Sequence, residues 1–129
     1  MIGILLITHE TLGESLLQCA CHVLNKQPEQ LLQLGVAPGD DPNDLLPLAR
    51  QMLKLVDTGE GVLIMTDIYG ASPANLAGKL LQPGKVEGLA GISLPMLLRA
   101  LGYRDKGMET LLTRATGGGR DGVINMLKH

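Results

Sequence analysis

Three residues able to do chemistry stand where short aliphatic runs give way to turns. They are His9 at the end of IGILLITH, Asp67 at the end of GVLIMTD, and Ser72 in the DIYGASPAN stretch that follows. A carboxylate that accepts the proton-bearing nitrogen of an imidazole fixes its tautomer and leaves the other nitrogen free as a base or nucleophile near neutral pH. Gly70 and Ala71 let the backbone turn closely, Ser72 offers a hydroxyl, and the first amides of the helix opened by Ser72-Pro73 favour a phosphate-sized anion. Taken singly, His9 reads as a hydrogen-bonded structural histidine and Ser72-Pro73 as an ordinary helix start. Brought into one crevice, they suit transfer of a phosphoryl group to a nitrogen.

That convergence requires strands ending at a common rim. IGILLIT (2–8) and GVLIMTD (61–67) are continuously aliphatic, as strands buried on both faces must be, and LLQLGV (31–36) is a further strand. Between them Leu12, Leu16, Leu17, Ala20, Val23 and Leu24 recur at helical spacing. A second helix is expected within PGDDPNDLLPLARQMLKLV, capped by Asp44, with Pro47 tolerated near its first turn. A third starts with Ser72 as N-cap and Pro73 at the first position, and stops at Pro83-Gly84. VEGLAGISL (86–94) reads as a fourth strand, Pro95 opens a short helix, METLLTRATGGG gives another, and RDGVINML a last strand. The pattern is that of a doubly wound α/β sheet of parallel strands with helices on both faces. In such sheets ligands gather beyond the carboxyl ends of the strands where strand order reverses. If the first and third strands are neighbours, with the second on the other side of the first, His9 and Asp67 meet there.

Residues 1–129 read as one domain, with 117–129 as a hinge at Gly117–Gly119 and an edge strand. That strand could cover the open edge of the fourth, from its own subunit or a partner, or it could simply fray. The hydrophobic fraction of 45% and charged fraction of 19% predict a folded core. A net charge of −2 with scattered basic residues argues against nucleic acid. No apolar run suits a membrane span and no signal peptide is evident, so a cytoplasmic setting is expected. Cys19 and Cys21, two apart on a helix, are expected to be reduced packing residues. His22 shares a face with Cys19, but no second ligand pair has zinc-like spacing, so neither metal nor cofactor is expected.

The segments IGILLITHETLGESLL, GVLIMTDIYGASPANLA and GLAGISLPMLLRAL resemble the enzyme IIA component of the mannose family of the bacterial phosphoenolpyruvate-dependent sugar phosphotransferase system. The resemblance covers nearly the whole chain, and the Asp-x-x-Gly-x-Ser-Pro block with Asn75 is its most distinctive part. It implies four parallel strands in order 2-1-3-4 and an antiparallel strand exchanged between the subunits of a homodimer. It implies further that His9 accepts a phosphoryl group from the phosphocarrier protein HPr and passes it to a IIB partner, with Asp67 orienting the ring and Ser72 contacting the phosphate. GISLPML (91–97), with Pro95 and Met96, would form another wall and docking surface. The family usually has Gly after the histidine; here Glu10 places a negative charge there, which could weaken or retune phosphorylation, contact a docking partner, or simply point to solvent in the first helical turn, where an acid is favourable. Tyr69 replaces a frequent Trp and is expected to contact a docking protein. Some relatives continue into a IIB domain, so the onward acceptor is expected on a separate protein.

Three alternatives compete. The domain could be a phosphorylation-dependent regulator uncoupled from transport, which the absence of neighbouring transporter genes would favour. It could be the phosphoryl-donor subunit of dihydroxyacetone kinase, against which the Ser-Pro-Ala-Asn block argues. A flavin-binding module on the same topology fits least, because the loop after the first strand lacks phosphate-holding glycines and hydroxyls.

Overall fold

The computed structural model describes residues 1–128. Four parallel strands, β1 (Gly3–His9), β2 (Leu31–Val36), β3 (Val62–Thr66) and β4 (Val86–Ala90), form one sheet in the order β2-β1-β3-β4. Successive side chains of a strand point to opposite faces, so a central strand needs two cores. Ile4 and Leu6 of β1, with Leu63 and Met65 of β3, enter the core beneath α1 (Leu12–Leu24), α4 (Leu94–Gly102) and α5 (Met108–Asp121). Leu5, Ile7, Val62 and Ile64 enter the other, beneath α2 (Pro42–Val56) and α3 (Ser72–Gly78). This explains the unbroken aliphatic runs of the two central strands.

Register aligns the strand ends. Ile7 pairs with Thr66, and Thr66 with Ala90, so the chain leaves β1, β3 and β4 at one rim. The reversal of order lies between β1 and β3, where β1 leads on to β2 on one side and β3 to β4 on the other. β4 stops at Ala90, short of the expected 94, because Gly91 turns the chain at φ +92° and the amides of Gly91 and Ile92 both donate to the Thr66 carbonyl at 3.0 Å.

Several expected helix ends move. Asp41, not Asp44, caps α2, its carboxylate accepting from the Asn43 amide at 2.9 Å, and Pro47 lies inside the helix. The cap position of α3 is Ala71 rather than Ser72, no side chain caps it, and the helix ends at Gly78, well before Pro83-Gly84. Ser93 caps α4 ahead of Pro95, accepting from the Met96 amide at 3.3 Å.

Gly117–Gly119 is not a hinge. α5 runs through all three glycines to Asp121, and the missing side chains of Gly118 and Gly119 let it lie close on α4. A Cβ on Gly118 would lie 2.8 Å from Arg99 Cβ, and one on Gly119 would lie 2.9 Å from Met96 Cε. Close packing thus offsets the poor helix propensity of glycine. Beyond α5, which takes in Arg120 and Asp121 of RDGVINML, the described tail residues 122–128 form no strand within the single chain; His129 lies outside the described residues.

Candidate functional site

β1 delivers His9 to the rim, and the turn after β3 delivers Asp67 beside it. His9 Nδ1 and Asp67 Oδ2 lie 2.8 Å apart, although 58 positions separate the residues in sequence. The same oxygen accepts the His9 backbone N–H at 3.1 Å, and Asp67 Oδ1 accepts the Ile68 N–H at 3.1 Å. Burial alone would raise the Asp67 pKa, but the His9 ring bond, the backbone bonds and the charge of His9 outweigh it and hold the carboxyl below its ordinary 3.8. Asp67 is therefore an acceptor-only carboxylate near neutral pH, and Nδ1 of the ring must carry the hydrogen between them. The Asp67 side chain is 13% exposed and that of His9 46%, so the acid is sheltered while the ring faces solvent. Nε2 has no hydrogen-bond partner among the described residues, which leaves its lone pair free.

The loop that aims the ring is held from both sides. Thr8, fully buried just before His9, accepts the Gly13 N–H at 2.7 Å and so supplies the cap that Thr11 does not give α1. Glu10 follows in the left-handed conformation at φ +48°, ahead of the helix rather than in its first turn. Its N–H donates to the Val36 carbonyl at 2.9 Å. Its carbonyl packs on Gly35, where a Cβ would approach within 2.1 Å.

His9 and Ser72 line one crevice of about 290 Å³, together with Glu10 and residues Val36 to Asp40. The expected trio of His9, Asp67 and Ser72 thus gathers at one rim, with Ser72 exposed at the start of α3. Asp40 closes its own loop, its carboxylate accepting the Ala37 N–H at 2.8 Å. A larger groove, about 700 Å³, lies between α3 and the free edge of β4 and is lined by Tyr69, Asn75, Lys79 and Leu89 among others; it does not contain His9. The paired histidine lines the smaller crevice.

Tyr69 is 87% exposed beside Asp67, and neighbouring Ile68 is 58% exposed, a surface residue that sequence reading passed over. Pro95 and Met96 do not join the crevice. Met96 is only 6% exposed and lies beneath α5, so it offers no docking surface, while Pro95 packs near Gly122. Cys19 is exposed rather than packed, and the half-buried Cys21 donates to Gln27 at 3.3 Å; both are free thiols. Sequence reading also missed Thr8 and Gly35. The signal for Thr8 was a lone hydroxyl inside an aliphatic run with glycine five positions on; the contact that demands Gly35 has no local signature.

Comparison with known proteins places the fold in a family. The family model described as the PTS system fructose IIA component matches residues 3–115. The PTS system mannose-specific EIIAB component of Escherichia coli (strain K12) is 33% identical over 125 residues, covering 95% of this chain and 38% of that protein. This chain therefore spans less than two fifths of the length of that relative. The phosphotransferase system component EIIA from Streptococcus agalactiae shares the fold at a TM-score of 0.87 with 20% identity, covering 100% of both chains. A mannose/sorbose specific IIA subunit from Enterococcus faecalis does so at 0.84 with 18% identity, over 96% of this chain and 93% of that one. Among the described residues no helix is long and apolar enough to cross a membrane. With the match running from the first strand into the last helix, the chain belongs to the EIIA-man family, the mannose-family IIA components of the sugar phosphotransferase system.

Proposed function

We propose that this chain is a cytoplasmic phosphocarrier that takes a phosphoryl group from phosphorylated HPr on Nε2 of His9 and passes it to a IIB acceptor. The observation that carries the reading is the 2.8 Å contact between His9 Nδ1 and Asp67, which commits one ring nitrogen and frees the other. In the transfer step the Nε2 lone pair forms a bond to phosphorus as the donor's P–N bond breaks and its electron pair returns to the donor imidazole. Each ring keeps the proton on its other nitrogen, so no net proton changes hands. The His9 ring gains positive charge as the bond forms, and the Asp67 carboxylate offsets it without moving. Ser72, across the crevice, offers its hydroxyl to a phosphoryl oxygen. Positioning and charge stabilisation are what phosphoryl transfer chiefly needs. His9→Ala is expected to abolish acid-labile labelling from phosphoenolpyruvate, enzyme I and HPr; label retained on another residue refutes the assignment.

The working unit in this proposal is a homodimer in which the tail of each chain pairs with the β4 edge of the other. Two observations support it: beyond an isolated antiparallel bridge between Gln82 and Val86, β4 has no strand on its outer side among the described residues, and Val123, Met126 and Leu127 are 85%, 90% and 95% exposed. Deleting residues after Asp121 should yield a monomer in light scattering. A dimer that persists counts against the exchange.

A further inference from the structure

We infer that Glu10 tunes the site electrostatically, making phosphorylated His9 a stronger donor and unphosphorylated His9 a weaker acceptor; this rests on the phosphocarrier reading. The left-handed backbone at Glu10, φ +48°, is one that glycine adopts freely and a residue with a side chain resists. The conformation is imposed by β2, through the bond to the Val36 carbonyl and the contact of the Glu10 carbonyl with Gly35. A charged side chain held against the preference of its own backbone, at the rim of a reactive crevice, points to a use for that side chain.

The neighbouring acids are already engaged. Asp67 accepts from His9 and Ile68, and Asp40 accepts from Ala37. Glu10 lines the same crevice as His9 and Ser72 yet makes no ion pair among the described residues, so its charge acts there uncompensated by a bonded partner. A phosphoryl group on His9 brings about two negative charges into that crevice, and the exposed, partly screened Glu10 carboxylate at its rim disfavours it relative to the same group on another protein.

The test is a competition. Wild-type protein and Glu10→Gln draw on one limiting pool of phosphoryl groups, shuttled by HPr, until their phosphorylated fractions are steady. Glu10→Gln keeps the size and backbone conformation and removes the charge, so it should hold the phosphoryl group roughly three- to tenfold more favourably, the scale of a partly screened charge on a dianion. The gap should shrink in high salt. Glu10→Gly, which relieves the backbone as well, should shift the balance the same way and serves if the glutamine variant folds poorly. Equal partition overturns the inference while leaving the phosphocarrier reading in place, and so does a gap seen in Glu10→Gly but absent from a folded Glu10→Gln, or one insensitive to salt. If neither protein takes up label, both the reading and the inference fall.

Discussion

Replacing Asp67 with asparagine separates charge from shape. Three N–H groups converge on this side chain: the His9 ring, the His9 backbone and the Ile68 backbone. A carboxylate accepts all three, whereas an amide presents one oxygen and one NH₂, so either the His9 pair or Ile68 then faces a donor with a donor. A hydrogen bond to a charged group contributes about 1.5–3 kcal/mol. Because the His9 side chain is 46% exposed, screening reduces the share felt by the ring to about 1–2 kcal/mol. If that stabilisation is expressed as the ring gains charge, the single-turnover rate of transfer from phosphorylated HPr should fall about 5- to 30-fold in Asp67→Asn. Rapid-quench measurement with labelled donor reads the rate, and circular dichroism checks the fold. A folded Asp67→Asn protein transferring within about twofold of wild type would refute the electrostatic role. The same pair predicts a pH dependence of stability. The folded-state pKa of Asp67 lies below 3.8, so its contribution is complete above that value and is lost as pH falls through the folded value. The melting temperatures of wild type and Asp67→Asn should therefore converge in acid below 3.8; a gap that stays constant there contradicts the linkage.

Two further substitutions test how the scaffold holds the site. Thr8→Val keeps the shape but strips the buried acceptor from the Gly13 amide, and should lower unfolding free energy by about 1–2 kcal/mol in urea titration, with no effect if the 2.7 Å bond is unimportant. Gly118→Ala would press a Cβ to 2.8 Å from Arg99 Cβ and should destabilise by about 1–3 kcal/mol. Gly117→Ala meets nothing closer than Arg99 Nη1 at 3.8 Å and should be neutral or stabilising by up to about 1 kcal/mol. If both glycine changes behave alike, the run is not a helix-packing device.

The strand and helix pattern could be read from the chain because burial on two faces demands unbroken aliphatic runs such as Ile4 to Ile7, and burial on one stripe demands helical spacing. Those constraints are local, and they carried His9, Asp67 and Ser72 to strand and helix ends without any coordinates. Other features depend on atoms distant in sequence. Whether His9 and Asp67 would meet depended on β1 and β3 being neighbours, which no local spacing reports. The left-handed turn at Glu10 comes from Val36 and Gly35 on the adjacent strand. Gly117–Gly119 looked like a break because glycine weakens an isolated helix; against α4 the missing side chains become the reason the helix fits. Met96 likewise passed for a surface residue until α5 was laid across it. Local sequence set the elements, through burial and backbone preference, whereas pairing across the sheet and contact between helices decided which side chains meet, which are covered and which charge is left beside the histidine.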